Sequence, residues 1–254
     1  MRFRTLLATA AATLAAASIT PANAIIGGTA APEGAYPFMA AITDTTGFQF
    51  CGGTVIASSW VLTAAHCVVD ETASGIRVVT GRTNLSNTSQ GQVLAVSQIY
   101  VEPKYDGDGW DAALLHLATA TTSPAIRLAD ASDDYLEAAG TTARVTGWGD
   151  QTPTLGLNAS NQLRQVDLQV VSDSQCAVTN NGLNAATSVC AGALAKDSCN
   201  GDSGGPLFST TAPIRTQIGI VSYGVSCAVP EFPGVYSEVN NAHIRSWITT
   251  TSGV

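Results

Sequence analysis

Ser203 stands among glycines, in Gly201-Asp202-Ser203-Gly204-Gly205-Pro206, in a chain of 254 residues that has three histidines. A serine hydroxyl is a weak nucleophile and needs a neighbouring base to take its proton. Glycines at 201, 204 and 205 let the backbone turn tightly and let a ligand approach main-chain N–H groups. An oxyanion hole made of backbone donors needs that access. A glycine-rich hairpin carrying an exposed serine has the same composition, so the run by itself supports catalysis only in part.

The general base must be His66, His116 or His243. His243 reads as a solvated residue on the polar face of a terminal helix, and His116 as the cap of a strand end. His66 is better placed. It follows the apolar strand Trp60-Val61-Leu62 and precedes Cys67, which could pin its loop. A carboxylate that orients such a base should lie close to it and away from water. Asp111 fits: it sits between Trp110 and Ala112-Ala113-Leu114-Leu115, at the opening of the most apolar strand. An ordinary strand-start acid is the plain alternative. The run around Ser203 also fits Gly-x-Ser-x-Gly, but the nucleophile elbow of α/β-hydrolases needs a helix after the serine. Here Pro206-Leu207-Phe208 continues as strand, and that reading fails.

These residues must be carried by short strands. Candidates are Phe38–Thr43, Gly52–Ile56, Ile76–Thr80, Val93–Val101, Ala112–Leu117, Ala143–Trp148, Leu163–Val171, Pro206–Ser209, Gln217–Ser222 and Gly234–Val239. Several alternate with period two, as Val166-Asp167-Leu168-Gln169-Val170 does. Turn residues between them and an almost complete lack of helical periodicity predict an all-β sandwich or barrel. The exception is the C-terminus, where Ile244, Trp247 and Ile248 share a helical face and Asn240 or Asn241 can cap the helix. If the chain divides, the least patterned stretch, Asp130 to Gly140, is the crossing point.

The ends and composition set the compartment. Arg2 and Arg4, then an uncharged run from Leu6 to Ile19, then Ala22-Asn23-Ala24 have the three parts of a secretory signal peptide over residues 1–24. A membrane anchor is the alternative, and the run is short and Ala-rich for that. Removing the segment leaves 230 residues and, with two arginines lost, moves the formal charge from −8 to −10. So acidic a chain argues against nucleic acid as a partner. All six cysteines fall in the exported part, and an even count there points to disulfides, with fifteen possible pairings. Scattered histidines and the lack of Cys-x-x-Cys give no metal site, and no cofactor is indicated.

Six segments together resemble the chymotrypsin/trypsin family of serine proteases. They are Ile25-Ile26-Gly27-Gly28, Thr63-Ala64-Ala65-His66-Cys67, Trp110 to Leu115, Gly147-Trp148-Gly149, Gly201 to Pro206 and Gly234-Val235-Tyr236, in the family's order. The resemblance implies two six-stranded antiparallel β-barrels with a C-terminal α-helix and an active site between the barrels, within one protease domain over 25–254. It implies a catalytic triad of His66, Asp111 and Ser203, and an oxyanion hole from the N–H groups of Gly201 and Ser203. The pairings it implies are Cys51–Cys67, Cys176–Cys190 and Cys199–Cys227. The implied substrate-binding set is Asp197, Ser198, Ser222, Gly224 and Gly234. Asp197, six residues before the nucleophile, would select Arg or Lys, because a paired charge offsets the desolvation that an unpaired one suffers. Ile25 would become the new amino terminus that pairs with Asp202 on activation. A secreted, monomeric enzyme acting on polypeptides, and open to protein inhibitors, completes the expectation.

The sequence also departs from the family pattern. No basic residue precedes Ile25. Either signal peptidase cuts after Ala24 and releases active enzyme, or it cuts near Ala17 and leaves a short propeptide. The loop from Gly81 to Val93 has Arg82 and no acid, so the family's calcium site should be missing. Tyr223 replaces a usual tryptophan, Asp108 could make an adjoining subsite acidic, and Asn84, Asn87 and Asn158 lie in glycosylation sequons. Abundant Ala and Thr with scarce Lys suit a bacterial exporter. Two rivals remain at this point: a secreted binding protein on a protease fold that has lost catalysis, and an esterase that is not a peptidase.

Overall fold

The computed structural model describes residues 25–107, 109–152, 159–225, 227, 229 and 231–254. The expected signal peptide, Asp108 and Asn158 lie outside them. After a two-residue strand β1 (Thr29–Ala30), six strands follow: β2 (Met39–Asp44), β3 (Gln49–Ala57), β4 (Trp60–Thr63), β5 (Ile76–Thr80), β6 (Gln92–Val101) and β7 (Ala113–Leu117). They close into an antiparallel barrel in the order β2-β3-β4-β7-β6-β5. The crossing segment carries the two-residue strand β8 (Arg127–Leu128) and a 3₁₀ turn at Asp134–Glu137.

The second half consists of β9 (Thr142–Gly147), β10 (Arg164–Val171), helix α1 (Asp173–Thr179), β11 (Ser188–Gly192), β12 (Pro206–Ser209), β13 (Thr216–Tyr223), β14 (Gly234–Glu238) and the C-terminal helix α2 (Ala242–Ser252). Its six longer strands close in the order β9-β10-β11-β14-β13-β12, the ring being completed by the β9–β10 pairing. The protein is thus the expected all-β pair of six-stranded antiparallel barrels with a C-terminal helix, the chymotrypsin fold.

The alternation that marks β10 has its physical cause in one buried face. Val166, Leu168 and Val170 point into the second core while Gln165, Asp167 and Gln169 point out. β7 lacks alternation because it is covered on both sides, with Ala113, Leu114 and Leu115 fully buried. The barrels meet through aromatic rings. Phe208 of β12 packs edge-on to Tyr36 and Phe38 at 5.6 and 5.5 Å, and a buried Thr54–Gln217 hydrogen bond of 2.8 Å crosses the same seam. Helix α2 packs Ile244 and Ile248 into the first barrel's core. Asn241 caps it, its Oδ1 accepting from the N–H groups of His243 and Ile244. Among the described residues no helix is long and apolar enough to cross a membrane.

Candidate active site

His66 is positioned from both sides of its sequence. Ala64 and Ala65 are fully buried at the end of β4, and Cys67 is tied by a disulfide to Cys51 of β3. The imidazole is left a third exposed. Asp111 faces it from the end of the β6–β7 loop, 3% exposed. Asp111 Oδ1 accepts the backbone N–H of His66 at 2.9 Å, and Oδ2 lies 2.7 Å from His66 Nδ1. Ser222 of β13 donates its hydroxyl to the same Oδ2 at 2.5 Å.

Burial alone pushes the Asp111 carboxyl up. The hydrogen bond and charge of His66, the Ser222 hydroxyl and the His66 N–H outweigh it, and hold the group below the ordinary carboxylate range. An ionised carboxylate only accepts, so Nδ1 must carry a proton, and in the neutral ring that leaves the Nε2 lone pair for an incoming proton.

Ser203 comes from the other barrel. The turn that holds it is built by Asp202 N–H on Cys199 O, Gly205 N–H on Asp202 O and Gly204 N–H on Val221 O, at 2.8–2.9 Å. It needs glycine twice, for Gly201 has φ 88° and Gly204 φ 79°. Gly204 also abuts the first barrel so closely that a Cβ would strike Thr63 Oγ1 and the Gly52 carbonyl. That contact, with Gly52 N–H donating to Ser203 O at 2.7 Å, seats Ser203 beside the strand end that leads into His66. The Ser203 hydroxyl has no hydrogen bond among the described residues, and neither do the N–H groups of Gly201 and Ser203. The Gly201 carbonyl is held by Gln49 Nε2 at 2.8 Å, which orients the peptide on that side.

Ser203 lines a cavity of about 400 Å³ together with Asp197, Ser198, Ser222, Gly224 and Gly234. Asp197 is 4% exposed. A Cβ on Gly234 would lie 3.1 Å from Asp197 Oδ1, so glycine there keeps the way to the carboxylate open. Ser198 Oγ lies 3.2 Å from the hydroxyl of Tyr236, a phenol that burial and the Asp197 charge push well above its ordinary value. The Cys199–Cys227 disulfide joins two walls of the cavity, and Cys176–Cys190 links α1 to β11.

Asp202 points away from this cavity into the protein. It is fully buried, accepting from Gly149 N–H at 2.8 Å and Cys199 N–H at 3.0 Å. Burial pushes its carboxyl up to about 7, against the partial relief of those two N–H groups. Ile25 is fully buried in the second core, with a left-handed φ of 50°. That conformation strains a β-branched residue.

The structure therefore joins His66, Asp111 and Ser222 by hydrogen bonds and places Ser203 and Ser222 with Asp197, Ser198, Gly224 and Gly234 on one cavity. Two other histidines differ from their sequence reading. His116 is no strand-end cap: it sits within β7, against the Trp60 ring and 2.7 Å from Ser97 Oγ. His243 is not merely solvated, for its Nε2 lies 2.6 Å from buried Glu102. Gln49 and the Asp111-holding role of Ser222 are invisible in the sequence, since their partners lie 152 and 111 residues away. Arg82 turns its guanidinium onto the carbonyls of Gln90 and Leu85 within the acid-free 81–93 loop. Cys51, His66 and Cys67 cluster as metal ligands would, but both sulfurs are held in the disulfide.

The family model described as Trypsin matches residues 25–248. Trypsin alpha of Drosophila melanogaster is 34% identical over 233 residues, covering 90% of this chain and 87% of that protein. Trypsin of Saccharopolyspora erythraea is 37% identical over 219 residues, covering 85% and 93%. Hypodermin-B of Hypoderma lineatum is 37% identical over 238 residues, covering 89% and 86%.

The chain belongs to the trypsin family and is a serine endopeptidase.

Proposed function

We propose that this trypsin-family enzyme is exported and cuts polypeptides after arginine and lysine, with Ser203 as nucleophile. His66 Nε2 takes the Ser203 proton as the hydroxyl attacks the scissile carbonyl, then gives it to the leaving amine. Asp111 fixes the ring and stabilises the imidazolium that forms. The Gly201 and Ser203 N–H groups receive the developing oxyanion. Water then releases the acyl group from Ser203 by the same proton transfers in reverse.

The observation that carries the specificity is Asp197, a buried carboxylate lining the cavity that opens at Ser203. A long cationic side chain entering that cavity meets an opposite charge away from water, whereas an apolar one meets a charged wall that gives it nothing. A peptide-library cleavage profile tests this. Cuts after Arg and Lys are expected; cuts confined to Phe or Leu contradict it. The leader over residues 1–24 supports export, and polypeptides, protein inhibitors among them, are the partners expected of a monomeric enzyme of this kind.

Activation rests on Asp202 and Ile25. With Ile25 still joined to Ala24, Asp202 holds a proton up to about pH 7, against 3.8 for an ordinary carboxyl. A carboxyl raised by folding contributes its stability below the unfolded pKa, and that contribution is lost as pH rises through the folded value. Stability of the uncut chain, made inert by Ser203→Ala, should therefore fall between pH 4 and 7, by up to roughly 4 kcal/mol from this group. Glu137, pushed by burial to about 8, and Glu238, pushed by burial to about 7, act in the same direction. Asp202→Asn isolates the Asp202 share. Starting the chain at Ile25 supplies an ammonium to pair with Asp202, and should abolish that share. Urea unfolding of the three proteins at pH 5 and pH 8 reads the difference.

A further inference from the structure

We infer that Glu102 and His243 form a second carboxylate–imidazole pair that positions Asp111, by clamping Trp110 in the left-handed turn from which Asp111 reaches His66. The inference rests on the triad reading proposed above.

The β6–β7 loop begins at Glu102 and ends at Ala112, directly after Asp111. Its base is closed by Glu102 N–H on Ala112 O at 3.0 Å, and Ala112 N–H donates to Trp110 O at 2.8 Å. Asp111 is thus the central residue of a three-residue turn, with β7 fixing it on one side and Trp110 on the other. Trp110 has φ 56°. A bulky side chain there is strained, and such strain persists only where the surroundings over-determine it.

Two groups hold the indole, and both lead back to Glu102. The His243 ring meets it edge-on, with centroids 5.0 Å apart, and Lys104 Nζ lies 4.4 Å from its centroid. Glu102 Oε1 lies 2.6 Å from His243 Nε2, and Oε2 accepts the Lys104 backbone N–H at 2.6 Å. Glu102 is 1% exposed. A buried carboxylate is tolerated only when its acceptor sites are used. Here they are used on the two residues that grip Trp110. His243 itself is fixed in the first turn of α2 by Asn241. The C-terminal helix therefore braces the loop that presents Asp111.

Without the clamp, Trp110 can relax towards negative φ, and that rotates the Asp111 carboxylate away from Nδ1 of His66. None of Glu102, Trp110 and His243 lines the cavity at Ser203, so the loss should fall on turnover. His243→Ala should lower kcat about tenfold, as misplacement of a catalytic group does, at unchanged KM. It should also move the acid limb of the kcat/KM–pH profile to lower pH, because the His66 imidazolium loses Asp111. His243→Gln, which can still donate to Glu102, should recover most of kcat. In a Trp110→Gly background, where glycine adopts φ 56° without strain, adding His243→Ala should cost less than about twofold.

Wild-type kcat and an unmoved acid limb in His243→Ala would overturn the inference whatever happens to its thermal midpoint. That result is what a mere tether for α2 gives. Equal losses in the wild-type and Trp110→Gly backgrounds would overturn it too. If His243→Ala does not fold, His243→Leu fills the same space, removes both the ring against Trp110 and the bond to Glu102, and carries the same expectations. Ser203→Ala, assayed alongside, separates the two levels: an active Ser203→Ala refutes the triad, whereas an inactive one beside a normal His243→Ala refutes only the clamp.

Discussion

Ser203→Ala lowers kcat on peptide substrates by about 10⁵-fold or more, the size of loss seen when a catalytic serine is removed from a comparable triad. What stays, backbone N–H donors and a shaped cavity, still holds substrate and polarises its carbonyl, so KM changes little and some catalysis over water survives. The thermal midpoint should stay within about 2 °C of the parent, as expected for a substitution that breaks no native interaction. The Ser203 hydroxyl has no hydrogen bond among the described residues to lose, and its removal leaves the Gly204 seat untouched. His66→Ala should cost a similar factor, and the double variant no more than either alone, because base and nucleophile act as one unit. Steady-state kinetics with a chromogenic arginyl peptide, beside calorimetry, reads both effects.

Asp197→Ser produces the second large effect, on selectivity more than on turnover. A guanidinium or ammonium entering the altered cavity stays desolvated without a counter-charge, and breaking one half of a buried ion pair costs about 3–5 kcal/mol. At about 1.4 kcal/mol per factor of ten, kcat/KM for arginyl and lysyl peptides should fall about 10²- to 10⁴-fold. Phe and Leu peptides never had that pair, so they should lose nothing or gain slightly. Gly224 and Gly234 remain, and the cavity stays open to them. The ratio of the two substrate classes is the quantity to measure, since it is insensitive to how much of the protein is correctly folded.

The three residues proposed as the triad stand out in the sequence because local patterning singles them out. Ser203 has its glycines, His66 its apolar strand and cysteine, and Asp111 the run that follows it. Strands with one wet face are equally plain, as β10 shows. β11 escapes detection for the opposite reason: Ser188–Gly192 is buried nearly throughout, so nothing alternates. Helix α1 is too short for helical periodicity, although its Ser172…Gln175 capping box is a local signal that would mark its start. Contacts across the barrels leave no local trace. Gln49 on the Gly201 carbonyl, Ser222 on Asp111 and His243 on Glu102 each join segments more than a hundred residues apart. The left-handed Trp110 gives no signal either, since tryptophan is among the residues least suited to that conformation.

The placement of Asp202 sharpens the activation problem that the sequence poses. A carboxyl held at about 7 by burial is half-neutral near physiological pH, with two peptide N–H groups bonded to it. An ammonium at Ile25 would convert it to a full carboxylate. On the activation proposed above, competence of the Gly201–Ser203 turn would be coupled to cleavage of one peptide bond.

The most direct test of the account is covalent trapping of the nucleophile. The mature protein is treated with an arginyl phosphonate ester, digested, and mapped by mass spectrometry. A single phosphonyl group on Ser203, absent from His66→Ala and much slowed in Asp197→Ser, is the predicted result. A label on any other residue, or an active enzyme whose Ser203 stays unmodified while arginyl peptides are cut, would contradict it.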